Sequence, residues 1–107
     1  MFGSVKHTKN LAKVAMAIMD RGNERLWGYP LSRASGVRSG VLYPMLARML
    51  DEGWLTDGWE DPAVAAAENR PPRRYYQLTD RGREELGAVL ARARAEQRSR
   101  ALRDRLA

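Results

Sequence analysis

Residues 39–53 read SGVLYPMLARMLDEG, and they carry the clearest helical pattern in the chain. The large apolar residues recur at i, i+3, i+4, i+7 and i+8; they are Leu42, Met45, Leu46, Met49 and Leu50. This spacing places them on one face of a helix that packs against a core. Ser39 is a candidate N-cap and Gly53 a stop signal, so we predict a helix between them.

Two further helices precede this one. In residues 8–21 the apolar positions Leu11, Val14, Ala15 and Ile18 share one helical face, with Thr8 as a candidate N-cap and Gly22 as a stop. After a connector at residues 22–27, a short helix begins at Gly28-Tyr29-Pro30-Leu31 and ends before Gly36. Its expected apolar side is Tyr29, Leu31 and Ala34. Two helices joined by a tight glycine turn are typical of a helix-turn-helix.

Two strands are predicted downstream, at residues 54–60 and 73–79. The prolines between them indicate a loop, although its alanines could form a helical turn. The result is a β-wing with a basic end. We expect its aromatic residues to pack in the core, with base stacking as the less favoured alternative; they are Trp54, Trp59, Tyr75 and Tyr76.

A last helix is predicted from Asp80 to about residue 104. Its apolar stripe consists of Leu86, Val89, Leu90 and Ala93. We interpret this stripe as a dimer interface, the alternative being that it packs within its own monomer. The fold class is therefore mainly α with a small β-wing, a winged helix-turn-helix of order α-α-α-β-β-α. Residues 1–79 would form the winged-helix domain and residues 80–107 a C-terminal dimerisation helix, in one compact unit.

Positive charge is concentrated in the first half of the chain. The net charge is +6, and residues 1–50 carry eight Lys/Arg against two Asp/Glu, whereas residues 51–107 carry eleven of each. Segregated positive charge attracts polyanions, either nucleic acid or an anionic membrane surface. There is no cysteine, and no apolar run approaches the ~20 residues of a membrane span. We expect a cytoplasmic protein.

Nothing in the sequence is typical of an enzyme. The one histidine, His7, lies near the terminus without a recognisable partner, and Asp51 and Glu52 are adjacent on a helix and so do not face each other. No glycine-rich phosphate loop, nucleophile elbow or metal-ligand spacing is present. We expect no catalysis, no metal and no cofactor.

Three stretches resemble the PadR family of bacterial regulators. Trp27-Gly28-Tyr29-Pro30-Leu31 is similar to the family's Gly-Tyr-x-Leu, and Ser39-Gly40-Val41-Leu42-Tyr43-Pro44-Met45-Leu46 to its Gly-Thr-Leu-Tyr-Pro-x-Leu recognition helix. Arg73-Arg74-Tyr75-Tyr76-Gln77-Leu78-Thr79 is similar to its wing strand, although Asn69 stands where a glycine is common. The resemblance implies a transcriptional regulator, usually a repressor. Some short members line a drug pocket with a tryptophan of the last helix, which this chain lacks; whether an effector exists stays open.

Double-stranded DNA is the expected partner, with the third helix in the major groove. Its candidate contacts are Arg38, Ser39, Gly40, Tyr43 and Arg48. The wing arginines Arg70, Arg73 and Arg74 are candidates for phosphates or a narrow minor groove, against the alternative of a solvated hairpin. Tyr43 could instead pack at the edge of the core. Lys6, Lys9 and Lys13 could touch a flanking phosphate or be ordinary surface residues.

The predicted function is sequence-specific binding of double-stranded DNA by a homodimer that represses transcription from an inverted-repeat operator. The alternative is a winged-helix adaptor that binds proteins and does not read DNA. A membrane-docking tail is a third reading, but residues 94–107 offer only Leu102 and Leu106 as sizeable apolar groups.

Overall fold

The computed structural model describes residues 8–107, which form five helices and three short strands. Lys6 and His7 lie outside the described residues. In chain order the elements are α1 (Lys9–Asp20), β1 (Leu26–Trp27), α2 (Gly28–Ser35), α3 (Ser39–Asp51), β2 (Leu55–Trp59), α4 (Pro62–Ala67), β3 (Arg74–Leu78) and α5 (Asp80–Leu106).

The core joins α1, α3 and the first half of α5. Its wholly buried large side chains are Leu11, Val14, Ile18, Leu42, Leu46, Met49 and Leu86. Burial of each such side chain contributes roughly 1.5–3 kcal/mol relative to exposure. The predicted core face of α3 is confirmed at three positions, whereas Met45 and Leu50 are only half-buried at its edge.

The turn between α2 and α3 fixes the angle of the helix-turn-helix. Gly36 has a φ of 73°, in the left-handed region that glycine adopts without strain. The Ser32 hydroxyl donates to the Val37 carbonyl at 2.7 Å, and the Val37 side chain is buried. The N–H of Val37 also donates to the Ser35 hydroxyl at 3.1 Å, so the turn is closed by hydrogen bonds of two serines and by one buried apolar side chain.

The beginning of α3 differs from the prediction. Ser39 is the first helical residue and Arg38 the N-cap, with no side-chain capping bond. The carbonyl of Arg38 accepts the N–H groups of Val41 and Leu42 at 3.0 and 2.8 Å, so the backbone alone closes the first turn. The prediction of Ser39 as the cap is therefore wrong.

The sheet has three antiparallel strands in the order β1-β3-β2. Leu26 pairs with Tyr76 and Trp27 with Tyr75, while β2 and β3 pair from Leu55–Leu78 to Trp59–Arg74. The predicted hairpin is present, but the prediction of residues 22–27 as a mere connector missed β1. Two residues are too few to show the period-2 pattern of a strand.

The segment between β2 and β3 contains α4, where the sequence favoured a loop. The Asp61 carboxylate accepts the N–H of Ala63 at 2.9 Å, and Pro62 occupies the first turn, where its missing N–H is not needed. Ala65 is wholly buried. Asn69, with a φ of 56°, takes the left-handed conformation where relatives commonly place glycine. The alanines therefore form the helical turn that was the alternative reading.

The first half of α5 packs on the body. The Thr79 hydroxyl caps it by accepting the N–H of Gly82 at 2.9 Å. Gly82 lies so close to β2 that a Cβ there would stand 2.0 Å from the carbonyl oxygen of Trp54. A side chain at position 82 would thus push the helix off the sheet.

The predicted dimer stripe requires a correction. Leu86, Val89 and Leu90 are buried within one chain, where α5 packs against α1, so they are core residues of the monomer. Ala93 is half-buried, and every residue from Arg94 to the end is exposed. Within residues 8–107, no helix has both the length and the apolar character needed to cross a bilayer.

Candidate nucleic-acid interface

The amino end of α3 is open. Arg38, Ser39 and Gly40 are all exposed, and a Cβ built at Gly40 would meet no atom within 4 Å. The first N–H groups of a helix have no intrahelical acceptor and carry partial positive charge, which suits a phosphate. The small residue at position 40 leaves space for a duplex to approach the backbone.

Tyr43 packs at the edge of the core and is also partly exposed. Its side chain is 46% exposed, yet its hydroxyl lies where a Cβ on Gly28 would be only 2.0 Å away. Its packing partner is thus the first residue of α2. The ring is therefore held in place with one edge in solvent.

Arg48 is exposed on the same side of α3, eight residues after Gly40, a rise of about 12 Å along the axis. The residues between them that face outward are Pro44 and Ala47, both exposed. The outer face of α3 therefore carries small side chains in its middle and polar side chains toward its two ends.

One face of the sheet carries four side chains of the β2–β3 hairpin. Tyr76 and Arg74 are two residues apart on β3 and so share this face, and their partners on β2 are Asp57 and Trp59. Tyr76 is buried, whereas the other three side chains are exposed. Trp59 is 67% exposed, so the prediction that it packs in the core is wrong; Trp54 and Tyr76 are buried as predicted.

The three wing arginines differ in what they pair with. Arg70 makes two hydrogen bonds to the carboxylate of Glu60, one of them 3.1 Å long, and a third to Glu68 at 2.9 Å. Arg74 pairs with Asp57 and lies 5.3 Å from the centre of the Tyr76 ring. The Arg73 guanidinium is exposed and makes no ion pair or hydrogen bond with the other residues of 8–107. Arg73 is thus the wing cation most accessible to a phosphate.

The ion pairs of the wing shift the titration of their groups in the expected directions. The hydrogen bond from Arg70 lowers the pKa of the Glu60 carboxyl, and the N–H of Arg73 acts in the same direction. The bond to Glu60 raises the pKa of Arg70, and the bond to Asp57 raises that of Arg74. Glu60, Arg70 and Arg74 therefore stay charged at neutral pH.

The sequence missed two contacts between an arginine and a tyrosine. Tyr29 was placed on the apolar side of α2, but it is 70% exposed, and Arg33 donates to its hydroxyl at 3.2 Å. Arg25 lies 4.0 Å from the centre of the Tyr75 ring, which also packs edge-on against Trp27. The i, i+4 spacing on a helix is enough to predict the Tyr29–Arg33 contact. The Arg25 contact depends on strand β1, which the sequence did not predict.

Lys9 and Lys13 lie elsewhere. They line a groove of about 700 Å³ between α1 and α5, together with Met16, Ala93 and Arg100. Met16 is half exposed in this groove. Whether these lysines reach a phosphate stays a prediction.

Comparison with known proteins identifies the family. The model of the transcriptional regulator PadR-like family matches residues 16–88. No curated protein sequence matches the chain at a significant level.

Three solved structures illustrate the likeness in fold. A PadR family transcription regulator from Clostridium difficile aligns with a TM-score of 0.67 and 14% identity, over 94% of this chain and all of its own. A PadR-like regulator from Bacillus cereus has a TM-score of 0.59 and 24% identity, over 87% of this chain and 89% of that one.

The third is Bacillus subtilis PadR in complex with operator DNA. It aligns with a TM-score of 0.55 and 23% identity, over 73% of this chain and 46% of that one. At these identities the likeness shows the fold, and the winged helix-turn-helix prediction is confirmed. With the family model covering residues 16–88, the chain belongs to the PadR-like family of transcriptional regulators.

Proposed function

We propose that this protein is a cytoplasmic homodimer that binds double-stranded DNA in a sequence-specific manner and represses transcription. The observation that carries the proposal is the open amino end of α3, where Tyr43 is held with part of its side chain exposed. The accessible guanidinium of Arg73 adds a cationic group in the wing. The operator complex of the Bacillus subtilis neighbour, a protein of the same fold, supports this choice of ligand.

In this proposal α3 enters the major groove, as the second helix of a helix-turn-helix does. Ser39, Gly40 and Tyr43 face base edges at its amino end, while Arg38 and Arg48 contact phosphates or guanine edges on either side. Tyr43 suits this role because Gly28 holds its ring while 46% of the side chain remains exposed.

The wing and α2 would contact the DNA backbone. Arg73 is proposed to bind a phosphate, since its guanidinium has no partner among residues 8–107. Arg74 would reach the backbone only at the cost of its bond to Asp57. The exposed Tyr29 and Arg33 lie on the first helix of the motif, which crosses the backbone in related folds.

Dimerisation is proposed to use α5, with residues 80–107 as the dimerisation helix. The face opposite the α1 contact carries exposed small or apolar residues at helical spacing; these are Ala88, Ala91, Ala95, Ser99, Leu102 and Leu106. The groove between α1 and α5, with Met16 and Ala93 in its wall, is concave and can receive such a ridge. A two-fold pair would place two recognition helices about 34 Å apart on an inverted repeat.

Binding and specificity are tested by selection of the purified protein on random duplex DNA at near-physiological salt. An enriched inverted repeat supports the proposal. Retention without a motif would mean a non-specific binder, and no retention would favour the adaptor alternative.

The dimer is tested by sedimentation equilibrium. Ala95→Glu puts a charge on the exposed stripe and is expected to yield monomers. Ala101→Glu, an equally exposed alanine off the stripe, is the matched control and should remain dimeric. Equal behaviour of the two variants would remove this stripe from the interface.

Repression is proposed because family members usually repress. A reporter placed behind the selected operator should fall when the protein is supplied. A rise would show activation instead, while leaving the DNA-binding part intact.

A further inference from the structure

The segment of the wing between β2 and β3, residues 61–72, has few buried apolar side chains. Between β2 and β3, Ala65 is buried, but Val64 is half exposed and the neighbouring Trp59 mostly exposed. A single methyl group buries too little surface to fix a segment of this length. Polar contacts must therefore hold most of the wing in place.

Glu60 supplies these contacts. Its carboxylate accepts two N–H groups of Arg70 and the backbone N–H of Arg73, the latter at 3.0 Å. Its own N–H donates to the carbonyl of Arg73 at 2.9 Å. Arg70 also bonds Glu68 and the carbonyl of Pro71. One carboxylate thus ties the start of the wing segment to its end.

The burial of Glu60 restricts what Arg70 can do. Glu60 is 8% exposed and is the buried charged residue among residues 8–107, whereas Arg70 is partly exposed. A buried carboxylate is tolerated when paired and becomes costly when its partner leaves. A phosphate that captured Arg70 would leave Glu60 unpaired beside a polyanion. Arg70 is therefore poorly suited to bind DNA directly.

We propose that Glu60 and Arg70 are positioning residues, which lock the wing in the shape that presents Arg73 to DNA and do not touch DNA themselves. The proposal rests on the proposed function. It changes the expected role of Arg70 from a DNA contact to a positioning residue. We call the pair the wing clasp.

Two neutralising variants separate this role from simple electrostatics. Glu60→Gln and Asp57→Asn each remove one negative charge from the same region of the wing, and charge alone predicts tighter DNA binding for both. The wing clasp predicts opposite results. Asp57→Asn, which frees Arg74, should bind as tightly as wild type or tighter, whereas Glu60→Gln should bind about tenfold more weakly.

Arg70 variants give a second readout. Arg70→Lys keeps the charge but loses the two-pronged bond, so it should not rescue binding. The double variant Glu60→Gln/Arg70→Gln should bind no more weakly than the single variants, because both act through one contact. If Arg70 binds a phosphate instead, Arg70→Gln alone weakens binding and lowers the salt slope by about 0.9, and Glu60→Gln does not weaken it. That pattern would overturn the proposal.

An experiment without DNA tests independently whether the wing clasp orders the wing. Hydrogen exchange of the free protein should show faster exchange at residues 61–72 in Glu60→Gln and Arg70→Gln, but not in Asp57→Asn, with urea unfolding midpoints close to wild type. Unchanged exchange rates at residues 61–72 in Glu60→Gln and Arg70→Gln would refute the positioning role of the wing clasp.

The affinity measurements use the duplex recovered by selection. If wild-type protein retains no duplex, the proposed function fails and the presentation of Arg73 fails with it. The exchange result then still decides whether the clasp orders the wing, so the two failures are distinguishable.

Discussion

Helix α3 and the wing are held in place by different forces. Leu42, Leu46 and Met49 of α3 are wholly buried in the shared core. The wing is held by Ala65 and by the clasp of Glu60 and Arg70. Moving α3 therefore disturbs the whole molecule, whereas the wing can open by breaking a few polar contacts.

This difference separates two parts of recognition. Core packing is energetically coupled to global unfolding, so α3 keeps one orientation for as long as the protein is folded. Polar contacts at the surface open locally at much lower cost. We expect α3 to determine which sequence is bound and the wing to modulate affinity.

The largest expected effect is on the core side of α3. Leu46→Ala should lower the free energy of unfolding by about 3 kcal/mol, because it removes a wholly buried side chain and leaves a cavity. Val64→Ala in the wing, at a half-exposed position, should change it by less than about 0.5 kcal/mol. Urea unfolding at fixed protein concentration measures both. Equal losses would mean that the wing is coupled to the core.

The next effect is on the outer side of α3. Tyr43→Ala should weaken binding to the selected operator by about 1–3 kcal/mol while the fold stays intact. Tyr43→Phe keeps the ring carbons that lie against Gly28 and removes only the hydroxyl. Fluorescence anisotropy gives the affinities and circular dichroism the folded state. Unchanged affinity of both variants would exclude Tyr43 from the interface.

A smaller and less selective effect is expected at the tip of the wing. Arg73→Gln should weaken binding to all duplexes by a similar factor and lower the slope of log affinity against log salt by about 0.9, as one phosphate contact is lost. Arg103→Gln, at an exposed arginine of α5, is the control. A loss confined to the operator would mean that Arg73 reads bases.

The smallest effect concerns acid. Arg70 lowers the pKa of Glu60 below its usual 4.5, so the clasp stabilises the folded wing above that pH and loses this contribution as the pH falls through the lowered pKa. Backbone amide resonances of residues 61–72 should shift in that acidic window, while those of α3 remain in place. Glu60→Gln should abolish the transition; its persistence would assign it to another carboxyl group.

The same contrast explains how far the sequence could be interpreted. The helices α1, α3 and α5 and the hairpin follow from local periodicity and from caps such as Thr8, which the structure confirms as a hydrogen-bonding cap. Strand β1 exists only through pairing with β3, about fifty residues away along the chain, and no local pattern records that.

The site shows a similar division. The exposed amino end of α3 and the position of Tyr43 were predicted from a helical wheel and the family motif. The pairing of Arg70 with Glu60 was not, because the two residues are ten positions apart across an unpredicted helix. The sequence gives all three wing arginines the same charge. Only the folded structure shows which of their guanidinium groups is accessible.

The second half of α5 has a consequence for the lifetime of the protein in the cell. Every residue from Arg94 onward is exposed in one chain, and a solvated helix of this length is marginal in water. Association would supply the free energy that keeps it wound. In the unassembled chain this end of the helix would unwind and become accessible to proteases. The fraction of the protein that escapes degradation would then depend on how much of it is synthesised.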